Sequence, residues 1–216
     1  MTAFSRRGLL TAASTLAVAG TLGLTARHAA AQQMDLARAT AFIQQTGVDL
    51  VGAINAAGSP LAQRRERVGA VLRRAVDVEG VGRFILGRFW RTASAEQQAE
   101  YLKLFEEILI RNLSARFGEY QGVRFSLGRS QARTEEDVLV NTVVERPGSA
   151  AFGLDWRVAE IGGQPRVVDV IAEGTSLRLT TRSEYSSVIS RNGGNVAALL
   201  TAMRQQIQQL AARETG

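Results

Sequence analysis

The sequence predicts an α+β protein in which a helical half is followed by a twisted antiparallel sheet of about four strands. Two observations lead to this prediction. Up to Tyr120 the apolar residues recur every three or four positions, as on one face of a helix. From Gln121 to Arg182 they alternate with polar residues, as in half-buried strands. Helices followed by strands, with no linker or repeat between them, favour one α+β domain.

The first 31 residues have the pattern of an export signal. A basic start with Arg6-Arg7 is followed by an apolar stretch over 9–24 and by Ala29-Ala30-Ala31, a small-residue cleavage pattern. The arginine pair resembles a twin-arginine signal, and a general secretory signal is the alternative. A membrane anchor fits less well, because the stretch is short and rich in Ala, Gly and Thr. We therefore expect residues 1–31 to be removed and residues 32–216 to form a single domain in the periplasm.

Removal of the signal changes the charge balance. The whole chain has 26 basic and 20 acidic residues, and three of the arginines but no acidic residue lie in the signal. The remainder has 23 basic residues against 20 acidic, which gives a net charge of about +3. Without a concentrated basic face and stacking aromatics this does not indicate nucleic-acid binding. Mild attraction to anionic lipid surfaces is compatible with it.

The chain after the signal contains neither histidine nor cysteine. The one histidine, His28, lies in the signal, and the sequence has no cysteine. This excludes histidine triads, cysteine nucleophiles, haem ligation by histidine, the usual zinc sites and disulfide bonds. No metal or organic cofactor is indicated. Stability must come from an apolar core, for which a hydrophobic content of 45% is sufficient.

Breaks at glycine, proline and serine divide the helical half. Gly58-Ser59-Pro60 separates the first two helices, of which the second carries Arg64, Arg65, Arg67, Arg73 and Arg74 on a solvated face or a docking surface. Ser94 with Gln97 three residues later forms a capping box and starts the longest helix. After Gly193-Gly194 a last amphipathic helix is expected to close over the sheet or over an opening. The predicted helices are 36–54, 61–76, 84–90, 95–117 and 196–210.

The strands follow from alternation after Gly122, and Gly162-Gly163 predicts a tight hairpin between the last two of them. The apolar positions are Val123, Phe125 and Leu127 in the first strand, Val138, Val140 and Val144 in the second, Phe152, Leu154, Trp156 and Val158 in the third, and Val167 to Ile171 in the fourth.

Two blocks of residues together resemble a known family. The first block is Val76-Asp77-Val78, Leu86 to Ser94 with Gln97, and Tyr101, Phe105 and Leu109; the second is Val167 to Val170, Glu173 to Leu177, Arg182, Tyr185, Ile189, Gly193, Gly194, Leu199 and Leu200. In this order and spacing they are similar to the MlaC or toluene-tolerance family of periplasmic phospholipid-binding proteins, which are auxiliary to an ABC lipid transport system. The resemblance spans most of the chain after the signal.

The resemblance implies a cone of helices wrapped around a curved antiparallel sheet, with an apolar pocket that holds acyl chains. It implies no enzymatic activity. It also implies shuttling of lipid between an inner-membrane ABC permease complex and an outer-membrane lipoprotein and porin complex, which maintains outer-membrane lipid asymmetry. Gln164-Pro165-Arg166 replaces the aromatic that the family commonly has before the Val-x-Asp-Val strand. This leaves the lipid open, and a hopanoid-type carrier of the same family is the alternative.

The candidate lipid-binding residues lie on the apolar faces of the elements that would enclose the pocket. They are Phe84, Ile85, Phe89, Leu109, Val140, Phe152, Leu154, Val168, Val170 and Leu177. Any of them alone fits an ordinary core equally well. Trp90 and Tyr101 have polar edges that suit a rim. The expected pocket volume is toward the upper end of about 300 to 1,000 Å³ or beyond, with the head group in water.

Asp169 is an acidic residue within an apolar strand, so it needs a partner. Arg178 or Arg182 is expected to return to it and to fix the fold. The functional alternative is a general base with a raised pKa in a cone-shaped isomerase or hydrolase, although no histidine or second acid accompanies it. A third hypothesis is an adaptor of an envelope complex that binds partners but no ligand.

Overall fold

The computed structural model describes residues 19–55, 59–114, 122–134 and 136–215, and the side chains of those between 36 and 213. The chain divides into two compact units, Met1–Asp35 and Leu36–Gly216. The export signal predicted at 1–31 falls in the first unit and partly outside the described residues, so it stays a prediction. In the described part of the chain no helix is both long and apolar enough to cross a membrane.

Within the described ranges the chain forms six α-helices, a 3-10 helix and five strands. The helices are α1 (Ala19–Ile54), α2 (Leu61–Ala75), α3 (Val78–Leu86), a 3-10 helix (Gly87–Arg91), α4 (Ala95–Ser114), α5 (Leu177–Arg191) and α6 (Val196–Thr215). The strands are β1 (Arg124–Ala132), β2 (Asp137–Glu145), β3 (Phe152–Ile161), β4 (Gln164–Ala172) and β5 (Thr175–Ser176). The predicted α+β class is confirmed.

The five strands form one open antiparallel sheet in the order β1-β2-β3-β4-β5. Gly162 and Gly163, with φ of +58° and +77°, make the predicted hairpin between β3 and β4. Both values lie in the left-handed region that a two-residue hairpin of this type requires. The sheet has one strand more than predicted, because Glu173 (φ +51°) and Gly174 (φ +77°) form a second tight turn that adds the two-residue β5.

Local side-chain contacts fix where the helices begin. Ser94 confirms the predicted capping box: its backbone N–H donates to the Gln97 side chain at 3.1 Å, and its Oγ accepts from the Gln97 N–H at 3.3 Å. Asp77 caps α3 by accepting from the Gly80 N–H at 3.0 Å. Ser176 caps α5 by accepting from the Leu179 N–H at 3.2 Å. Each cap satisfies a donor that the helix itself cannot.

Three predictions about secondary structure are wrong. The short helix expected at 84–90 begins earlier, as α3 at Val78, and continues from Gly87 as the 3-10 helix. The strand-forming half ends at Ser176 rather than at Arg182, because α5 begins at Leu177. The last helix, α6, does not close over the sheet or the opening; it packs against α4 and α5. Its apolar residues join those helices in one cluster, which contains Val196, Leu199, Leu200 and Met203.

The arginines of α2 lie mainly toward solvent, which the predictions of a solvated face and of a docking surface both require. Arg67, Arg73 and Arg74 are exposed, while Arg64 and Arg65 are half-buried. Arg73 pairs with Glu66 at 2.7 Å and with Glu106 of α4 at 3.1 Å. Such exposed pairs contribute little stability individually, so this face has no large structural role, and its use as a docking surface stays a prediction.

The buried apolar residues form three separate clusters rather than one core. The largest joins α3, α4, α5 and α6 and includes Val168 of β4. The second packs Ala39 and Ile43 of α1 against β2, β3 and β4. The third packs Ala53 and Ile54, at the end of α1, against α2. Space therefore remains between the sheet and the helices.

Replacing Ser94 by Ala is expected to destabilise the protein by about 1 kcal/mol, because it removes the hydroxyl that accepts from Gln97 N–H. Urea unfolding measures the change. Ser187→Ala, at an exposed site inside α5, is the matched control and should leave stability unchanged or slightly raise it. Equal stabilities for Ser94→Ala and the wild type would contradict the capping role.

Candidate functional site

The space between the sheet and the helices is a cavity of about 540 Å³. Its walls come from α1, α2, α3, α4 and the start of α5 on one side and from the sheet on the other. Apolar residues dominate the lining; the polar ones are Thr46, Asn112, Thr142, Asp169, Arg178 and Thr181. The volume lies in the middle of the range of about 300 to 1,000 Å³ for ligand pockets, so it is smaller than the sequence led us to expect.

The sheet wall of the cavity is apolar along β3, because alternate residues of a strand point to the same face. Phe152, Leu154 and Trp156 of β3 all line it. The indole Nε1–H of Trp156 donates to the Thr142 Oγ at 2.8 Å, and the Thr142 side chain is buried. Both polar groups are thereby satisfied within the wall, and the surface that faces the cavity can remain dry.

The structure brings together seven of the ten candidate residues. The lining includes Ile85, Leu109, Phe152, Leu154, Val168, Val170 and Leu177. Whether these side chains touch lipid stays a prediction.

The other three candidates lie beside the cavity and not in its lining. Phe84 packs under two guanidinium groups, with its ring centroid 4.2 Å from the Cζ of Arg178 and 4.8 Å from that of Arg182. Phe89 is buried in the helical cluster. Val140 is fully buried between the sheet and α1. Apolar periodicity predicts buried positions but does not distinguish core from cavity. The side chains of these three residues pack against neighbouring side chains, whereas those of the other seven line the cavity.

Tyr101 does not lie at a rim. It is fully buried, its hydroxyl donates to the Gly82 carbonyl oxygen at 3.0 Å, and its ring stacks on Phe105 at 6.0 Å. Burial raises the pKa of Tyr101, so the phenol stays neutral. Trp90 is half-buried and packs edge-on against Tyr101. Both aromatics belong to the helical core.

Sequence reasoning missed the contribution of α1 to the site. Ile43, Leu50, Val51 and Ile54 line the cavity from this helix. Their helical spacing predicts the helix at 36–54, but none of the ten candidate lining residues lies on it. The sequence does contain a signal for this role, which is the length of the apolar face of α1. That face continues for three turns, and only part of it packs against the sheet.

Gly47 allows β1 to approach α1 at the side of the cavity. A Cβ built at this position would lie 2.1 Å from the ring of Phe125, so only glycine leaves room for the aromatic side chain. Both residues line the cavity. Nearby, the side chain of Asn55 donates to the Val123 carbonyl oxygen at 3.4 Å and accepts from the Gly122 N–H at 3.0 Å. The end of α1 is thus fixed to the first strand.

Asp169 lies in a polar cluster at the start of α5. Its Oδ2 accepts from the Ser176 hydroxyl at 2.6 Å, and its Oδ1 accepts from the Arg178 backbone N–H at 3.2 Å. The Nε of Arg178 lies 3.3 Å from the Oδ2. The predicted pairing with Arg178 is confirmed, whereas Arg182 donates instead to the Phe84 carbonyl oxygen at 2.9 Å.

The charge on Asp169 is balanced by several groups. Burial raises the pKa of this carboxyl above its ordinary value, while the hydrogen bond from Ser176 and the charges of Arg157 and Arg133 act to lower the pKa. Each of its two oxygens accepts a hydrogen bond from a protein donor, which suits a structural carboxylate. Among the described residues no group of three or more acidic or histidine side chains is placed to hold a metal ion.

A protein-family model described as MlaC protein matches residues 44–205. This chain belongs to the MlaC family. The matched segment contains every cavity-lining residue except Ile43.

Individual relatives of this MlaC-family chain carry related names. It is 23% identical over 177 residues to the intermembrane phospholipid transport system binding protein MlaC of Haemophilus influenzae, covering 78% of this chain and 81% of the relative. It is 22% identical over 132 residues to the toluene tolerance protein ttg2D of Pseudomonas putida, covering 61% of each. The resemblance noted in the sequence is thereby confirmed.

A solved structure shares the fold of this MlaC-family chain. It is that of the phospholipid-binding protein from Ralstonia solanacearum in complex with a phospholipid. The two superpose with a TM-score of 0.72 at 25% sequence identity, over 80% of this chain and 98% of the other.

Replacing Asp169 by Ala is expected to destabilise the protein by about 3 kcal/mol, because the Ser176 hydroxyl and the Arg178 backbone N–H lose a buried acceptor and the Arg178 guanidinium loses its ion-pair partner. Denaturant unfolding at neutral pH measures the change. Glu160→Ala removes the exposed carboxylate that pairs with Arg38 at 2.9 Å and should cost less than about 1 kcal/mol. Similar losses in the two variants would argue against a structural Asp169.

Proposed function

We propose that this chain is a phospholipid carrier that holds acyl chains in the cavity between its sheet and its helices. The observation that supports the proposal best is the cavity itself, which is large, lined mainly by apolar side chains, and part of a fold shared with a protein solved in complex with a phospholipid. An apolar cavity of this size exposes surface that water solvates poorly, so acyl chains are its natural occupants.

The energetics of acyl-chain burial suit a carrier. Each buried methylene is worth about 0.8 kcal/mol relative to water, so two chains amount to roughly 20 kcal/mol or more. An exposed groove could not supply this. A bilayer offers nearly the same free energy, so transfer from a membrane into the cavity is close to neutral and therefore reversible. Reversibility is what a shuttle between two membranes requires.

The place of this carrier in the cell follows from the same proposal. We infer that it is exported to the periplasm and that residues 1–31 are removed. There it passes lipid between an inner-membrane ABC permease complex and an outer-membrane lipoprotein and porin complex, and so maintains outer-membrane lipid asymmetry. The name of the Haemophilus influenzae relative, an intermembrane phospholipid transport system binding protein, supports this assignment.

The surroundings of Asp169 do not support the hypothesis of an enzyme. Asp169 motivated it, and the carboxylate already accepts hydrogen bonds from Ser176 and Arg178. A general base needs a lone pair directed at its substrate. The geometry therefore favours the carrier over an isomerase or hydrolase.

Mass spectrometry of the full chain, expressed in a Gram-negative host and purified without detergent, tests the carrier directly. We expect a phospholipid in stoichiometric amount under native conditions. A hopanoid would instead assign the protein to the alternative lipid. A folded protein that carries no lipid would contradict the proposal and favour the adaptor hypothesis.

Replacing Leu154 by Glu is expected to reduce the co-purified lipid at least ten-fold, because an acyl chain would then have to desolvate a carboxylate. Leu154 lines the cavity on β3. The control is Ile161→Glu at the other end of the same strand, where the side chain is 43% exposed, and it should keep its lipid. Circular dichroism shows that both variants fold. Retention of lipid by Leu154→Glu would place the acyl chains elsewhere.

Replacing Arg6 and Arg7 together by Lys is expected to leave the protein in the cytoplasm as uncleaved precursor, because the twin-arginine route reads the arginine pair. Fractionation and intact mass measure this, and the exported wild type should begin at Gln32. Arg27→Lys, outside the motif, is the control. Normal export of the double variant would assign the chain to the general secretory route.

A further inference from the structure

Two charged side chains, Asp169 and Arg178, stand out in the described lining, which is otherwise apolar or neutral. The Arg178 side chain is 17% exposed and borders the solvent, whereas the Asp169 side chain behind it is 4% exposed. Leu177, which precedes Arg178 and also lines the cavity, is 48% exposed. Thr181, one turn further along α5, is half-buried in the same wall. A guanidinium group is thus held at the mouth of an apolar cavity.

The guanidinium of Arg178 is held from three sides. Its Nη1 donates to the Val168 carbonyl oxygen at 3.4 Å, its Nε lies 3.3 Å from the Asp169 carboxylate, and its Cζ lies 4.2 Å from the centre of the Phe84 ring. The side chain is 17% exposed. An arginine oriented in this way loses little conformational entropy when it binds a ligand.

The donors of Arg178 are not all used. The Nε is buried 3.3 Å from the Asp169 Oδ2 and so is turned toward that carboxylate rather than toward a ligand, whereas among the described residues no hydrogen bond engages the Nη2. The negative charge of Asp169 is shared among several groups and is not available to Arg178 alone. The carboxylate also accepts from Ser176 and interacts with Arg157 and Arg133. A half-buried cation with an unused donor beside an apolar cavity is stabilised when an anion accepts from that donor.

We propose that Arg178 binds the phosphate of the lipid head group at the mouth of the cavity, with Asp169 and Phe84 as the positioning residues. The inference rests on the proposed carrier function and adds a preference to it. Phospholipids are bound more tightly than lipids with the same acyl chains and no phosphate. The remainder of the head group extends into water beyond the exposed Leu177.

Arg182 provides a matched control for Arg178. Both residues belong to α5, one turn apart, and both stack on Phe84, at 4.2 and 4.8 Å. Arg182 donates to the Phe84 carbonyl oxygen at 2.9 Å and does not contribute to the lining. Loss of either arginine removes one stacked cation from the same ring, so an effect confined to Arg178 reports its position at the cavity.

The test measures binding of phosphatidylglycerol and of diacylglycerol with the same two acyl chains to the delipidated full chain. The wild type should prefer phosphatidylglycerol about ten-fold, the factor expected for a charge-assisted hydrogen bond. Arg178→Met should lose this preference and keep its affinity for diacylglycerol. Arg182→Met should behave as the wild type. Inorganic phosphate alone should not compete with the lipid, and strong competition would indicate a general anion site instead.

Several outcomes would overturn the phosphate site. One is an Arg178→Met variant that binds both lipids as the wild type does; another is an equal loss for both lipids in a folded variant. If Arg178→Met fails to unfold cooperatively on heating, it is not folded, and Arg178→Lys replaces it in the test. The preference of the wild type for phosphatidylglycerol is then also decisive: a wild type that binds the two lipids equally refutes the site. A wild type that binds neither lipid refutes the carrier function itself, which separates the two failures.

Discussion

The edge of strand β4 holds the helices to the sheet, and the rest of the structure depends on it. Asp169 binds Ser176 and Arg178 and so fixes the start of α5. Two residues earlier, the Val167 carbonyl oxygen accepts from the Asp77 N–H at 3.1 Å, at the start of α3. Before that, Arg166 donates to the Arg73 carbonyl oxygen at 3.2 Å, at the end of α2. Three helices are therefore attached along four consecutive residues of one strand.

Attachment along one edge explains why a cavity remains. At the opposite edge of the sheet α1 is held separately, through Asn55 near β1 and through the contact between Gly47 and Phe125. The helices are thus fixed at the two sides, while the apolar face of the sheet between them stays partly uncovered. The three apolar clusters border this space without filling it. Close packing is the usual outcome of folding, so an apolar space of about 540 Å³ between the clusters is the feature on which the proposed carrier function rests.

The sequence was sufficient wherever the decisive interaction is local. The capping box at Ser94 and the hairpin at Gly162-Gly163 depend on neighbouring residues, and both were predictable. Helix α5 was not predictable from periodicity, because its first residues, Leu177 and Leu179, are exposed while its buried residues come later. Its start is set by Asp169, a contact across the fold. Core residues such as Val140 and cavity residues such as Leu154 follow the same alternation of apolar and polar residues along their strands. Only the position of the helix that faces each residue distinguishes them.

The segment from Glu173 to Arg178 shows how one short stretch can serve both folding and binding. Glu173 and Gly174 turn the chain, Ser176 caps α5 and binds Asp169, and Leu177 and Arg178 line the cavity. The same contacts that fix α5 to the sheet also set the position of the cavity mouth. Because the acyl chains would occupy space that the three clusters leave open, lipid binding and folding bury the same apolar surface. Under the proposed carrier function a bound lipid would complete the packing and stabilise the fold, since a ligand that binds only the folded state stabilises it.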